Sequence, residues 1–295
     1  MLLLLAMACR PDPFVEVEEF GENPGNLQMY ERPPATDASP APLLLVLHGC
    51  LQDHRFAEDA GFVDLAPDVL IVAAEQRVTN NPQGCFNWFL PGDTAREGGE
   101  LASLAAMIQS AQDRHDVDSA RVGVVGVSAG GAMANVLLAT RPDLLTAGVI
   151  VAGAPVGCAE SVASAAECLL GSVARADAAW VDEVLQRGAP PWPRVLVVQG
   201  EEDLVVAPAV SDVIVAQWAG VHGVSIDGGS VTRFRTARGD ATRTIFGQGE
   251  VESLRYEGVG HTVPIDVDRG CGRSGPFLDD IDDCLAERAV ELLGG

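Results

Sequence analysis

One stretch, from Arg121 to Thr140, limits what this chain can fold into more than any other. Residues 122–127 form an apolar, β-branched run of the kind that builds a buried strand. The run leads directly into Gly-Val-Ser-Ala-Gly at 126–130, and apolar residues then recur at helical spacing up to Pro142, where a helix should end. So short a connection requires a sharp turn at Ser128. The hydroxyl there is either an ordinary helix cap or, as the strand–turn–helix context favours, a nucleophile raised clear of the backbone.

The rest of the chain alternates apolar runs with helical patterns, which predicts an α/β protein. We expect the α/β-hydrolase fold: a mostly parallel central sheet, helices on both faces, and a small excursion after the strand that follows the nucleophile. No linker or repeat divides the chain, so 10–295 is expected to be one domain. The sequence also predicts a helix at 56–66, the excursion at 155–193, strands at 231–235 and 251–256 around a polar loop, and a closing helix at 279–293.

A serine needs a base to take its proton and an acid to orient that base. In α/β-hydrolases the acid and then the histidine follow the serine along the chain, each just beyond a later strand. Asp203 follows the predicted strand at 194–199, and His261 follows the strand at 251–256. The neighbours Glu201 and Glu202 are rivals for the acid, and a surface-loop histidine is the alternative for His261. We predict Ser128, Asp203 and His261 as the catalytic residues.

The negative charge that develops on the substrate needs two backbone N–H donors. Ala129, at the head of the helix after Ser128, should supply one, and the loop after the strand ending at Leu47 should supply the other, from Cys50 or Gly49. His48 would then shape this loop and border the substrate site. A metal site formed by His48, Cys50, Asp53 and His54 is a weaker alternative, so no metal is predicted.

Charge excludes several partners. The formal net charge is −23, so nucleic acid and anionic membranes would repel the chain. Every basic residue is Arg, because the sequence has no Lys, and this rules out Schiff-base chemistry and a phosphate-loop lysine. No apolar run is long enough to span a bilayer.

The first residues indicate export. Leu2 to Ala8 is apolar, and Ala6-Met7-Ala8 before Cys9 resembles either a cleavage site or a lipoprotein box, so 1–9 is interpreted as a clipped export signal or lipid-anchored segment. A disordered apolar tail is the alternative. Without Cys9 six cysteines remain, an even number that suits disulfides in an oxidising compartment. The pairs expected are Cys50–Cys85, which would fix the pocket wall, Cys158–Cys168 and Cys271–Cys284, with free buried thiols as the alternative for the first.

Taken together, these motifs resemble a known family. The matching segments are FGENPGNLQMY, LHGCLQD, CFNWFLPGD, GVSAGGAMA, GAPVGCA, GEEDLVV and GVGHTVPID, which run from Phe20 to Asp266. They are similar to the polyhydroxybutyrate depolymerase-type esterases, which are close to the feruloyl and acetylxylan esterases of carbohydrate esterase family one. The resemblance implies hydrolysis of carboxylic esters through an acyl-enzyme, without a cofactor.

The resemblance also supports the catalytic residues predicted above and the Cys50 amide in the oxyanion hole. It places Trp88 and Asn87 in an aromatic loop at the substrate site, although Trp88 could equally be loop core. Two departures concern the substrate: Phe86 replaces the first aromatic of the family's C-W-N-W-F, and His-Thr-Val-Pro replaces a more usual His-Gly-x-Pro. The predicted substrates are hydroxyalkanoate esters, oligomers or polyester. The alternatives are cell-wall ferulate or acetyl esters, a non-catalytic binding lipoprotein on this fold and, more weakly, a peptidase.

Overall fold

A computed structural model describes residues 11–36 and 39–294 of the chain. The central sheet contains the strands β1 Val15–Glu16, β2 Gln28–Arg32, β3 Ala41–Leu47, β4 Leu70–Glu75, β5 Val117–Val127, β6 Ala147–Val151, β7 Arg194–Gly200, β8 Ser230–Arg235, β9 Asp240–Phe246 and β10 Val251–Tyr256. A small second sheet pairs β11 Val263–Ile265 with β12 Leu278–Asp280. The helices are α1 Phe56–Asp59, α2 Phe62–Leu65, α3 Gly99–Arg114, α4 Ala129–Thr140, α5 Val162–Leu169, α6 Asp177–Leu185, α7 Ala209–His222 and α8 Leu285–Gly294.

The strand order across the central sheet is β1-β2-β4-β3-β5-β6-β7-β10-β9-β8. The six strands from β4 to β10 in this order are parallel, and antiparallel strands flank them on both sides. The carboxyl ends of the parallel strands therefore lie along one edge, where open α/β sheets place their ligands. β5 occupies the middle of the sheet, so the loop at its carboxyl end lies centrally on that edge.

Two apolar cores cover the two faces of this sheet. One core packs α3, α4, α6 and α7 against the sheet, with Trp180 and Trp218 buried in it. The other packs α1, α2 and α8 against the opposite face, around Phe56, Phe62 and Leu285. Buried on both faces, the parallel strands are continuous apolar runs, as the sequence of β3 and β5 indicates. The predicted fold class is confirmed.

Three elements differ from the sequence prediction. The helix expected at 56–66 is two short helices, because Gly61 between them has a left-handed backbone (φ 89°). The polar loop expected before β10 contains β9, whose polar residues pair on both sides with neighbouring strands. The closing helix begins at Leu285 rather than Asp279, because Asp279 and Asp280 pair with β11 and Asp282 has a left-handed backbone (φ 63°).

The described cysteines form the three predicted pairs: Cys50–Cys85, Cys158–Cys168 and Cys271–Cys284. The first joins the loop after β3 to the loop after β4, and the last joins the segment after β11 to the start of α8. Such disulfides persist in oxidising compartments, which is typical of an exported protein. The predicted export or lipoprotein segment at 1–9 lies outside the described residues. Within those residues, no helix combines the length and apolar character needed to cross a bilayer.

Candidate active site

Ser128 stands at the turn between β5 and α4. Its backbone has φ 56° and ψ −120°, a strained conformation for a residue with a side chain. Two glycines allow the turn to be this tight. A Cβ atom at Gly126 would lie 2.1 Å from the Gly130 carbonyl oxygen, and one at Gly130 would lie 2.4 Å from the His48 carbonyl oxygen. The Ser128 side chain is therefore held at the carboxyl edge of the sheet and does not cap the helix.

The structure brings Ser128, His261 and Asp203 together from three separate loops. His261 follows β10, and its Nε2 lies 3.0 Å from the Ser128 Oγ. Its Nδ1 lies 2.8 Å from the Asp203 Oδ2, in the loop after β7. The two contacts use both ring nitrogens, so the imidazole can accept the serine proton at Nε2 while Nδ1–H donates to the carboxylate. This is the hydrogen-bonding order that a base-activated serine requires.

Asp203 is buried and its carboxylate is fully engaged. Oδ1 accepts hydrogen bonds from the backbone N–H groups of Val205 and Val206, both at 2.8 Å. Oδ2 accepts a third, from the Gln199 side chain at 3.0 Å, besides the one from His261. Burial opposes ionisation of this carboxyl, but the hydrogen bonds from His261 and the backbone outweigh it, so the pKa of Asp203 lies below its ordinary value. Asp203 is therefore ionised at neutral pH.

The two rival acids lie elsewhere. Glu201 forms an ion pair with Arg255, with Oε2 2.9 Å from the Arg255 Nη2. Glu202 is exposed. Within the described residues, the carboxylate that meets His261 is that of Asp203.

Among the described residues, the backbone N–H groups of Cys50 and Ala129 donate no hydrogen bond to another backbone group outside the regular helices and strands. Ala129 is the first residue of α4, where N–H groups have no partner within the helix. The neighbouring donors are used, since Gly49 donates to the Gln52 Oε1 at 2.8 Å and Leu51 donates to the Gln83 carbonyl at 2.8 Å. Of the two donors predicted from the loop after β3, Cys50 is thus the one left available.

A cavity of about 190 Å³ opens at Ser128 and His261. Its lining is mostly apolar and consists of Gly49, Cys50, Leu51, Gln52, Val127, Ser128, Val205, His261 and Phe277. The large apolar side chains of three lining residues are exposed, and so is that of Leu204, which precedes Val205 in the chain; we call Leu51, Leu204, Val205 and Phe277 the apolar rim. A second cleft of about 420 Å³ adjoins the cavity, shares Leu51 and Gln52 with it, and is lined by charged residues such as Asp53, Asp59 and Arg273.

The structure places three predicted substrate-binding residues away from this cavity, which corrects the prediction. Trp88 is buried in the core beneath its loop, with its ring edge-on to Phe89. Asn87 is buried, and both its backbone N–H and its side chain bind the Glu100 carboxylate, each at 2.8 Å. His48 is also buried, with its ring nitrogens bound to backbone groups. All three support the loops around the site from inside the protein.

The large apolar side chains that line the cavity were missed by the sequence prediction. Val205 lies two residues after Asp203, and Leu51 directly follows Cys50, so an apolar residue close to a predicted site residue was a signal that could have identified both. Phe277 lies 16 residues beyond His261 in the chain, and nothing in the sequence links the two. Its ring is edge-on to the His261 ring, with centroids 6.3 Å apart.

The alternative metal site does not form. The Cys50 sulfur is bonded to Cys85, and His48 is engaged on both nitrogens. The His54 ring instead bridges two carboxylates, 2.6 Å from Glu75 and 2.9 Å from Asp12. Among the described residues, no group of three or more His, Cys, Asp or Glu is arranged to hold a metal ion.

The fold and the serine-centred site together define an α/β-hydrolase of the serine esterase class. A family model described as esterase PHB depolymerase matches residues 27–242. Poly(3-hydroxyalkanoate) depolymerase C from Paucimonas lemoignei is 34% identical over 95% of this chain and 69% of its own length. An acetylxylan esterase from Coprinopsis cinerea is 30% identical over 84% of this chain and 69% of its own length. The chain belongs to the esterase PHB depolymerase family.

The structural comparison agrees. The acetyl xylan esterase from Aspergillus awamori has a TM-score of 0.78 and 25% sequence identity, over 87% of this chain and 96% of that chain. The family relationship thus covers the elements that carry Ser128, Asp203 and the loop after β3.

Proposed function

We propose that this protein hydrolyses aliphatic polyesters or their short hydroxyalkanoate oligomers, with Ser128 as nucleophile, His261 as base and Asp203 as the acid that orients it. The observation that carries the proposal is the continuous contact from the Ser128 Oγ through the His261 ring to the Asp203 carboxylate, at 3.0 and 2.8 Å. Both distances are within the reach that proton transfer and orientation require.

In the first half of the reaction, the Ser128 Oγ attacks the ester carbonyl carbon while its proton passes to the His261 Nε2. The carbonyl oxygen becomes an oxyanion, which accepts hydrogen bonds from the Cys50 and Ala129 N–H groups. When the tetrahedral intermediate collapses, the C–O bond to the alcohol breaks, and the alcohol leaves with the proton from His261. The product is an acyl ester on Ser128.

In the second half, water replaces the alcohol. His261 takes a proton from the water, the hydroxide oxygen bonds to the acyl carbon, and the oxyanion is held by the same two N–H groups. Collapse breaks the bond to the Ser128 Oγ, which regains its proton from His261. The acid is released and the enzyme returns to its starting state.

The apolar rim favours a polyester over a polysaccharide. Its residues offer apolar surface but no hydrogen-bonding side chain, and Leu204 is 93% exposed. Leu51 and Phe277 also have left-handed backbones (φ 64° and 63°), a conformation that costs free energy and tends to be kept where a function needs it. An exposed apolar surface around a reactive serine suits a substrate that is itself apolar. The depolymerase of Paucimonas lemoignei, named for such a substrate, lends support.

A second candidate is an esterase for acetyl or feruloyl groups on cell-wall polysaccharide. The observation in its favour is the adjoining cleft, where Asp53, Asp59 and Arg273 could bind sugar hydroxyls. The relatives named acetylxylan esterase also support this reading.

A substrate panel separates the two candidates. We expect the purified protein to cleave 3-hydroxybutyrate trimer and poly(3-hydroxybutyrate) film, with a kcat/KM for the trimer about tenfold or more above that for methyl ferulate or acetylated xylan. The reverse preference would favour the polysaccharide reading. No hydrolysis of any ester, including a short-chain nitrophenyl ester, would refute both.

The role of the apolar rim can be tested with Leu204→Ser. Losing the contact of one leucine with the polymer should lower the ratio of film hydrolysis to trimer hydrolysis by up to about tenfold. Leu185→Ser, at an exposed leucine on α6, is the matched control and should leave the ratio unchanged. An unchanged ratio in Leu204→Ser would show that the rim does not contact the polymer.

We also propose that the protein acts outside the cytosol, in the periplasm, in the medium or anchored through a lipid on Cys9. The three disulfides support export, and the sequence around Cys9 supports an anchor. Mass spectrometry of the N-terminal peptide of the natural protein distinguishes a lipidated Cys9 from a plain cleaved end.

A further inference from the structure

The loop after β3 is held on both sides of one residue, Gly49. The Gly49 N–H donates to the Gln52 Oε1 at 2.8 Å, and the Gly49 carbonyl lies 2.7 Å from the His48 Nδ1. We propose that His48 and Gln52 are positioning residues that aim the Cys50 N–H at the oxyanion. The proposal rests on the function proposed above.

The hydrogen bonds define which nitrogen of His48 carries the proton. The Gln76 backbone N–H donates to the His48 Nε2 at 3.1 Å, so Nε2 is the acceptor and Nδ1–H donates to the Gly49 carbonyl. Burial lowers the pKa of His48, in keeping with a neutral ring that has one donor and one acceptor. The ring is 1% exposed, so it cannot touch substrate and acts only through the backbone.

Peptide geometry transmits this contact to the site. The Gly49–Cys50 peptide is planar, so its C=O and the Cys50 N–H lie in one plane and point in opposite directions. A hydrogen bond that fixes the carbonyl therefore fixes the direction of the N–H. The peptide is next to the nucleophile, since a Cβ atom at Gly49 would lie 3.4 Å from the Ser128 Cβ. The Gln52 bond prevents Gly49 from rotating at its other end.

The anchor continues into the core. The Gln76 side chain donates to the buried Glu100 carboxylate and, at 3.2 Å, to the Cys85 carbonyl. Cys85 is bonded to Cys50 itself. The Cys50 N–H is thus held in place in two ways: by the disulfide of its own side chain and by the hydrogen bond to the Gly49 carbonyl of the preceding peptide.

Two pairs of variants test this. His48→Leu removes the donor to Gly49, whereas His48→Asn keeps an N–H near the position of Nδ1. Gln52→Met removes the acceptor in a half-buried loop where folding is little at risk, and Gln83→Met, at an exposed glutamine in the facing loop, is its control. Each is assayed for kcat and KM with a soluble ester and for inhibition by a trifluoromethyl ketone, which forms an oxyanion when the serine attacks it.

A misdirected donor weakens binding of the oxyanion but not of the ground state. We expect His48→Leu and Gln52→Met to lower kcat ~10–100-fold, less than the ~10²–10³-fold for complete loss of a donor, with KM within about twofold. Affinity for the trifluoromethyl ketone should fall by the same factor, His48→Asn should recover part of both, and Gln83→Met should match the natural protein. If folded Gln52→Met keeps kcat and inhibitor affinity within about twofold of the natural protein, the proposal is wrong. If the natural protein neither hydrolyses the ester nor binds the ketone, the proposed function has failed instead.

Discussion

Two buried carboxylates support the site from different sides, and they do so differently. Asp203, after β7, contacts His261, which contacts Ser128. Glu100, near the start of α3, binds Gln76 and Asn87, and the Gln76 backbone binds His48 beside the oxyanion loop. The first series of contacts leads to the atom that loses a proton, and the second leads to a backbone donor.

The pKa values of the two carboxyls shift in opposite directions. Burial is the largest effect on each. For Asp203 the hydrogen bonds from His261 and the backbone outweigh burial, and the pKa is lowered. For Glu100 no cationic partner is present among the described residues, the bonds from Asn87 and Gln76 are too weak to offset burial, and the pKa rises to about 7. A buried carboxylate beside an imidazole thus stays charged, whereas one surrounded by amides is partly protonated near neutral pH.

The largest effect should come from removing the Ser128 Oγ, the reacting atom to which the contacts from Asp203 through His261 lead. Ser128→Ala should lower kcat for a soluble ester by up to ~10⁶-fold, because no attacking oxygen remains. Ser172→Ala, at an exposed serine between α5 and α6, should leave kcat unchanged. Steady-state kinetics with thermal melting checks this, and a folded Ser128→Ala protein with substantial activity would contradict the assignment.

The next largest effect should come from the acid. Asp203→Asn should lower kcat ~10⁴-fold, because the amide no longer holds the His261 tautomer or stabilises its positive charge. Glu202→Gln, one residue earlier and exposed, serves as the control. Equal losses in the two variants would show that Asp203 has no special role.

The smallest of the three effects concerns Glu100 and is one of stability. The pKa of Glu100 is about 7 in the folded chain and 4.5 in the unfolded chain, so the folded chain binds this proton more tightly. The resulting stabilisation is complete below pH 4.5 and is lost as the pH rises through 7. The free energy of unfolding changes by ~3 kcal/mol over this range. Glu100→Gln cannot titrate. The unfolding free energy of the natural protein should therefore fall relative to that of the variant between pH 5 and pH 8.

Denaturant unfolding at several pH values measures that difference, and groups that titrate in both proteins cancel. If the unfolding free energies of the two proteins change with pH in parallel, Glu100 does not titrate in this range. The proposed difference between the pKa shifts of Glu100 and Asp203 would then be wrong.

Much of the fold could be predicted from the sequence because its signals are local. The apolar run of β5, the glycines at 126 and 130 and the serine between them define a strand, a turn and a helix within a few residues. The chain order of Ser128, Asp203 and His261, each just past a strand, was equally visible. In a parallel sheet these strand ends share one edge, so their proximity followed from the fold class.

The residues around the serine depended on contacts between distant parts of the chain. Trp88, Asn87 and His48 stand in motifs that point to the substrate, yet packing turns their side chains inward. Phe277 reaches His261 only because the segment after β11 folds back through β12, an element that the sequence did not predict. The sequence by itself determined which groups can react, since backbone pattern and residue chemistry are local properties. Tertiary structure decided which side chains face the substrate and which hold the loops, because side-chain direction depends on the neighbours that each one buries.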